Sequence, residues 1–199
     1  MKASRRCSWA GSEPIYVAYH DEEWGVPKAD DVALYEKLVL EGFQSGLSWI
    51  TILKKRENFR KAFHGFNPGR VARYGEKDIR RLLGDAGIVR HRGKIEAAIS
   101  NARAVLELHK EISLSAFLWN FMDGKPAQNK VHSMSDIPGS TPLSTQIAKA
   151  LKAKGFRFCG PTTVYAFMQS VGMVNDHLAA CPRRSDCAQL ARTFKAPAT

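Results

Sequence analysis

The chain is short of acid, has no paired-cysteine motif, no long apolar run, no run of strands and no fixed-period repeat. Each lack narrows the choice. No apolar stretch approaches the roughly 20 residues that a membrane-crossing helix needs. The basic N-terminal stretch MKASRRCSWAGSEP has no apolar segment behind it of the secretory kind, so a cytoplasmic location is expected. Thiols there stay reduced, so the four cysteines, Cys7, Cys159, Cys181 and Cys187, should be free or metal-bound. No CxxC occurs, and no Cys/His pair has zinc-finger spacing. Asp and Glu total 19 against 30 Lys and Arg, a net charge of +11. That excess favours a polyanionic partner, nucleic acid first. An anionic membrane surface comes second, and no long basic amphipathic anchor supports it.

What is there is helical. With 44% hydrophobic residues, 199 positions suit one domain with a sizeable core. Apolar positions 34, 35, 38 and 39 predict a helix over 32–40, with Asp30-Asp31 as its cap. A second helix is predicted from about Ser48 to Phe63, and Asn67-Pro68 reads as a cap with proline in the first turn. Ile79, Leu82 and Leu83 form a stripe ended by Gly84 or Gly87, and Lys94 to Leu108 is strongly amphipathic. A short helix opens at Ser113 or Ser115. After a polar loop from Lys125 to Ser144, one helix runs from Thr141 or Ser144 to Gly155 and another from Pro161 to Gly172. The reading is a single all-α domain spanning 1–199, with 182–199 a flexible tail.

Three stretches carry chemistry. LEGFQSGLSWITILKKRE, from Leu40 to Glu57, places Glu41 among apolar residues, followed by Trp49 and the basic run Lys54-Lys55-Arg56. A carboxylate, a flat ring and positive charge suit a flat polar or cationic ligand carried on a polyanion. They equally suit a helix end with a solvated Glu and a core Trp. STQIAKALKAKGFRFCGPTTVYAFMQSVG, from Ser144 to Gly172, reads as a helical hairpin. Gly155 stops one helix, Phe156 and Phe158 of the connector can point into the core, and Gly160-Pro161-Thr162-Thr163 opens the next. Free N–H groups of Thr162 and Thr163 at that N-terminus suit a DNA phosphate; an ordinary helical corner fits the same pattern. A looser pair at Arg80 to Ile99 gathers Arg90, His91, Arg92 and Lys94, either as phosphate contacts or as a solvated corner. Finally, His177 and Cys181 are four apart, as on one helical face, and Cys7 and His20 lie near the start. Together they could form a metal site, with Cys187 able to replace Cys181; free thiols and exposed histidines are the alternative. Cys159 reads as a small packed residue.

The segments CSWAGSEPIYVAYHDEEWGVP, LEGFQSGLSWITILKKRENF, DAGIVRHRGKIEAAISNA and GFRFCGPTTVYAFMQSVGMVNDH occur in order from Cys7 to about Cys181. They resemble the 3-methyladenine DNA glycosylase I family of the helix-hairpin-helix DNA glycosylase superfamily. The resemblance implies an all-helical fold in which one structural zinc ion, held by Cys7, His20, His177 and Cys181, joins the N- and C-terminal segments. It places a base pocket at Glu41, the candidate catalytic residue, with Tyr16, Tyr19, Trp49, Trp9 and Trp24 around it. The hairpin residues Gly155, Gly160, Thr162 and Thr163 would hold the DNA backbone. The implied activity is hydrolytic removal of 3-methyladenine from double-stranded DNA by a monomer without a lyase step, leaving an abasic site. Many superfamily relatives use an Asp after the hairpin. Asp176 lies in that region but directly precedes His177, and receives no catalytic role. Leu47, after Gly46, is a candidate wedge or a core residue. A non-enzymatic zinc-stabilised DNA-binding module and a glycosylase for another lesion are the rival readings.

Overall fold

The computed structural model describes residues 6–197; residues 1–5 of the basic N-terminal stretch and 198–199 of the expected tail lie outside the described residues. Its centre is helix α2, Asp31–Gln44, which continues four residues past the predicted end at Leu40. Ten successive residues of this helix, Leu34 to Phe43, are buried. A helix covered all round must have neighbours on every side. These are α3 (Trp49–Ala62), α6 (Arg92–Leu108), α7 (Leu114–Asn120) and α9 (Pro161–Ser170). Helices α4 (Pro68–Val71) and α5 (Glu76–Gly84) pack on α6, and α8 (Pro142–Ala153) pairs with α9.

Two adjacent aspartates tie the helix starts together. Asp30 caps α2, its Oδ1 accepting from Ala33 N at 2.7 Å. Asp31 points elsewhere: it accepts from Leu114 N at 3.1 Å and Ser115 N at 2.8 Å, so it neutralises the free donors that open α7. The expected caps at Ser113 and Thr141 are present as well, accepting from Ala116 N and Ser144 N.

Three features differ from the sequence reading. Helix α1, Pro14–Glu22, was not foreseen, because its buried side chains Tyr19 and His20 make too short an apolar face to register as periodicity. A two-residue parallel pairing joins β1 (Ala127–Gln128) to β2 (Val174–Asn175) and pins the long loop to the chain beyond α9. The expected tail contains helix α10, Arg183–Thr193, which buries Cys187; beyond it the Phe194 ring packs on Trp119, centroids 4.4 Å apart. Its polar sequence disguised a helix anchored at a few points. Among the described residues, no helix is long and apolar enough to cross a membrane.

Apolar burial falls into two clusters. The large one is built from α2 to α9. The small one gathers Cys7, Tyr19, Trp24, Leu53 and Cys181, with Trp9, Tyr16, Trp49 and Leu178 packed on it. Residues near both chain ends meet in this second cluster.

Candidate active site and metal centre

A cavity of ≈ 190 Å³ opens between the two clusters. The six residues singled out for a base pocket, Trp9, Tyr16, Tyr19, Trp24, Glu41 and Trp49, all line it. The rings are close and mutually inclined: Trp9 lies 5.0 Å from Trp24 and 5.1 Å from Tyr16, and Tyr19 lies 5.4 Å from Trp49. Gln44, Ala166, Gln169 and two residues of the long loop, Met134 and Ile137, complete the wall. No periodicity or residue type marked these five in the sequence. The indole N–H of Trp49 is buried with no hydrogen-bond partner among the described residues. An unpaired buried donor is costly, and in a cavity wall it is a point of attachment for an acceptor.

Glu41 is not a solvated helix end. It lies inside α2, 4% exposed. Burial raises its pKa, and the charge of Lys37, one turn earlier on α2, opposes that rise. Lys37 is itself buried. Its ammonium is 3.1 Å from Glu23 Oε1, donates to the Tyr19 hydroxyl at 3.2 Å, and sits 4.4 and 4.8 Å from the Tyr19 and Trp49 ring centroids. The basic run after Trp49 is also not a plain solvated face. Arg56 is held by Glu23 at 2.5 and 3.0 Å and by Glu36 at 2.6 Å, so it braces α1 and α2 from α3.

Asp176 is fully committed to structure. Its carboxylate accepts from Asn129 Nδ2 at 2.6 Å, the Tyr165 hydroxyl at 2.7 Å and Gln169 Nε2 at 2.8 Å. It is 1% exposed, and by holding Gln169 it shapes the cavity wall.

Cys7, His20, His177 and Cys181 converge at one buried point, their ligand atoms all within 4.8 Å of one another. Three S···N edges measure 3.6 Å: Cys7 to His177, Cys181 to His177 and Cys181 to His20. Bonds of about 2.3 Å to sulfur and about 2.0–2.1 Å to nitrogen at a tetrahedral angle give an edge of about 3.6 Å, so these three edges fit an ion of zinc's size. The far nitrogens are also correctly occupied. His20 Nδ1 faces Asp21 Oδ1 at 2.7 Å and His177 Nε2 faces the Trp24 carbonyl at 3.0 Å. A carboxylate and a carbonyl only accept, so each ring carries its proton there and turns a lone pair to the cysteines, as metal-bound imidazoles do. The Leu178 N–H also donates to Cys7 Sγ at 3.4 Å. His177 and Cys181 are joined by a turn, Cys181 N to Leu178 O at 2.8 Å, and not by the helical face their spacing suggested. Cys187 is outside the cluster: its thiol lies 3.8 Å from the Trp24 carbonyl on α10. Cys159 is buried in the large core.

The cluster abuts the cavity directly. The Trp9 ring packs 5.2 Å from His20, and Trp24 packs 4.6 Å from His177. Two walls of this aromatic, acid-floored cavity thus pack on the imidazoles of the Cys/His cluster, and the chain as a whole has known relatives. The profile of the methyladenine glycosylase family matches residues 9–184. DNA-3-methyladenine glycosylase 1 of Escherichia coli (strain K12) is 51% identical over 177 residues, 88% of this chain and 95% of that protein. A crystal structure of 3-methyladenine DNA glycosylase I superposes with a TM-score of 0.88 at 53% identity, covering 89% of this chain and 98% of the other. A crystal structure of a variant 3-methyladenine DNA glycosylase I in complex with 3-methyladenine gives 0.87 at 40% identity, covering 89% and 96%. The chain belongs to the methyladenine glycosylase family. It is an enzyme of the hydrolase class, a DNA-3-methyladenine glycosylase.

In this family member the α8–α9 hairpin has the geometry its glycines suggested. Gly155, at φ +88°, ends α8 with Gly155 N bonded to Lys152 O at 3.0 Å and Phe156 N to Leu151 O at 3.0 Å, a Schellman closure. Gly160 caps α9 with Pro161 in its first turn. The first i to i−4 bond of α9 runs from Val164 N to Gly160 O at 2.8 Å, so the N–H groups of Thr162 and Thr163 have no partner within the helix. Phe156 enters the core as expected. Phe158 does not: it is 39% exposed at φ +54° and lies over Gly42 of α2, with His91 6.3 Å away. The connector is clamped by a residue the sequence did not mark. Asn101 on α6 accepts from Arg157 N at 2.7 Å and donates to Arg157 O at 3.0 Å, and so reproduces a strand-like pairing.

The Arg90 to Lys94 cluster resolves into separate roles. Arg92 is paired with Glu76 at 2.7 Å and Glu96 at 3.2 Å, and His91 caps α6 by accepting from Lys94 N. Lys94 is buried, donating to the carbonyls of Phe43 at 2.9 Å and Ser45 at 2.5 Å. It therefore caps the C-terminus of α2 and cannot reach a phosphate. The turn it fixes carries Gly46 at φ +81° and Leu47, 40% exposed, beside the cavity wall residue Gln44.

Proposed function

We propose that this chain flips 3-methyladenine out of alkylated double-stranded DNA, binds it in the cavity above Glu41, and hydrolyses its glycosidic bond without a lyase step. The observation that carries this reading is a buried carboxylate at the floor of a cavity walled by Trp9, Tyr16, Tyr19, Trp24 and Trp49. A base methylated at N3 while attached to deoxyribose is cationic. Aromatic faces attract it, and a desolvated carboxylate accepts charge-assisted hydrogen bonds from its polar edge. The unpaired Trp49 N–H supplies one donor for a ring nitrogen of the same base. The positive charge already weakens the bond to the sugar, so strong acid catalysis is unnecessary. Water attacks C1′ and an abasic site remains. No lysine lines the cavity among the described residues, which supports hydrolysis over an amine-linked lyase route.

Outside the cavity, the N–H groups of Thr162 and Thr163, with Gly155 and Gly160 setting the turns, hold a backbone phosphate. Leu47, exposed at the tip of the Gly46 turn, fills the gap left by the flipped nucleotide, an event that costs a few kcal/mol of unstacking. Cys7, His20, His177 and Cys181 hold one zinc ion. Four protein donors leave no position for an activated water, so the ion supplies rigidity to Trp9, Trp24 and Tyr19 and takes no part in hydrolysis.

The reading is tested on randomly methylated duplex DNA by analysing the released bases. Selective release of 3-methyladenine is expected, with Glu41→Gln excising more slowly on an intact fold. No release by zinc-loaded wild-type protein refutes the function, and wild-type rates in Glu41→Gln refute the role of Glu41.

A further inference from the structure

Lys37 is the residue the cavity does not account for. It is 1% exposed, it is absent from the cavity lining, and a buried ammonium costs several kcal/mol unless paired. Its nearest acid, Glu23, at 3.1 Å, is shared: Arg56 also engages both oxygens of Glu23, at 2.5 and 3.0 Å, and Lys28 lies 3.8 Å from it. A second acid in the network, Glu36, is held by Arg56 at 2.6 Å and Arg60 at 3.0 Å. Glu23, Glu36 and Glu57 thus face Arg56, Arg60, Lys28 and Lys37, which leaves one positive charge in excess. The buried carboxylate nearby with no ion pair of its own is Glu41, one turn away on the same helix. The ammonium also lies against two of the rings that wall the cavity.

We propose that Lys37 is a positioning residue of the excision site: it keeps Glu41 a carboxylate, and so an acceptor, and it braces Tyr19 and Trp49 from behind. The proposal rests on the base-binding role of Glu41 given above. Its physical content is a balance of charge. A buried carboxyl with no cation at hand takes up a proton, becomes a donor along one edge and loses its attraction for a cationic base. A lysine one turn away prevents this without occupying the carboxylate oxygens itself, which an arginine fork on the same carboxylate would do. The groups facing this pair are Tyr16, Tyr19 and Glu23 at the end of α1, Lys28 in the following loop, Glu36 on α2, Arg56 on α3 and the Ser170 hydroxyl on α9. Among them Lys37 is the cation that acts on Glu41, lowering a pKa that burial raises.

The test compares Lys37→Met, which fills the space without the charge, with Lys37→Arg, which keeps the charge. The readout is the pH profile of kcat/KM on duplex DNA containing 3-methyladenine. In Lys37→Met the acidic limb is expected to move up by about one pH unit or more, a tenfold loss below the limb, with activity recovering at higher pH. Lys37→Arg should retain the wild-type limb. Adding Lys37→Met to Glu41→Gln should leave the profile of Glu41→Gln unchanged. A Lys37→Met profile that superimposes on wild type overturns the proposal, as does a Lys37→Arg limb displaced as far as that of Lys37→Met. Full activity in Glu41→Gln alone overturns the reading of Glu41 and not the coupling of the pair. Should Lys37→Met not fold, nitrogen NMR of wild-type Lys37 decides: an ammonium at neutral pH is expected, and a neutral amine there sinks the idea.

Discussion

Releasing the metal from the Cys7/His20/His177/Cys181 cluster should loosen the molecule by an amount set by chain length. The cluster ties Cys7 to His177 across a sequence separation of 170 residues. Treated as a cross-link, closure of a loop that long removes about 5 kcal/mol of chain entropy from the unfolded state. The tie between His20 and Cys181 spans nearly the same segment, a separation of 161, and adds little of its own. For a domain of this size each kcal/mol moves Tm by about 2–4 °C, so complete loss of the tie corresponds to a fall of roughly 10–20 °C. The loss should be uneven. The large core contains none of the four ligands, whereas the small cluster contains Cys7 and Cys181 at its heart. Stripping zinc with a chelator, or replacing Cys181 by Ser, is therefore expected to abolish quenching of tryptophan fluorescence by free 3-methyladenine at temperatures where far-ultraviolet circular dichroism still reports native helicity. Zinc content is measured alongside. A chelated protein with no zinc, a Tm within about 2 °C of the holoprotein and unchanged base binding would refute the reasoning, because neither the loop entropy nor the ring-to-imidazole contacts would then matter.

Three further outcomes are expected. Gly172→Ala should be severely destabilising, since a Cβ there meets Pro27 N and Val26 C at 2.4 Å on top of a left-handed φ of +70°; Gly155→Ala, with φ +88° and open space, should cost only about 1–2 kcal/mol in a denaturant melt. Asn101→Leu removes both bonds to the Arg157 backbone, and should weaken duplex binding in fluorescence anisotropy while leaving binding of the free base nearly unchanged; equal losses in both would count against the clamp. Burial alone would raise the Glu23 carboxyl, but the Arg56 hydrogen bonds and the charges of Lys37, Arg56 and Lys28 overcome it and hold the pKa at about 2, below its ordinary 4.5. The folded state then binds fewer protons than the unfolded state between these values, so this contribution is complete above pH 4.5 and is lost as pH falls toward 2. Acid titration of stability should lose that slope in Glu23→Gln, and an identical acid profile in the variant contradicts it.

The parts of the site legible in the sequence are those whose chemistry is carried by residue type. A carboxylate and five rings, or two cysteines and two histidines, stand out in any list, and the family resemblance set them in one place. The hairpin was legible because Gly155 and Gly160 mark backbone turns, whatever surrounds them. Residues that act through ordinary chemistry in unusual positions were not legible. Lys37 and Lys94 look like solvated lysines until the structure buries them, one among rings and the other on helix-end carbonyls. Asn101 looks like a polar residue in an amphipathic helix, and Met134 and Ile137 like loop filler, because nothing local reveals what lies across from them. Helix α10 was misread for the same reason: its few anchors, Cys187 among them, are spaced too widely for a periodicity to form.

The meeting of residues 7 and 20 with residues 177 and 181 also sets an order in time. During synthesis Trp9, Tyr16 and Tyr19 leave the ribosome early, at a translation rate of about 5–20 residues per second. They cannot take their places around the cavity until the last tenth of the chain has followed. A chain that stops before Cys181 lacks a ligand of that cluster, and with it one of the contacts that hold the N-terminal rings against the rest of the fold.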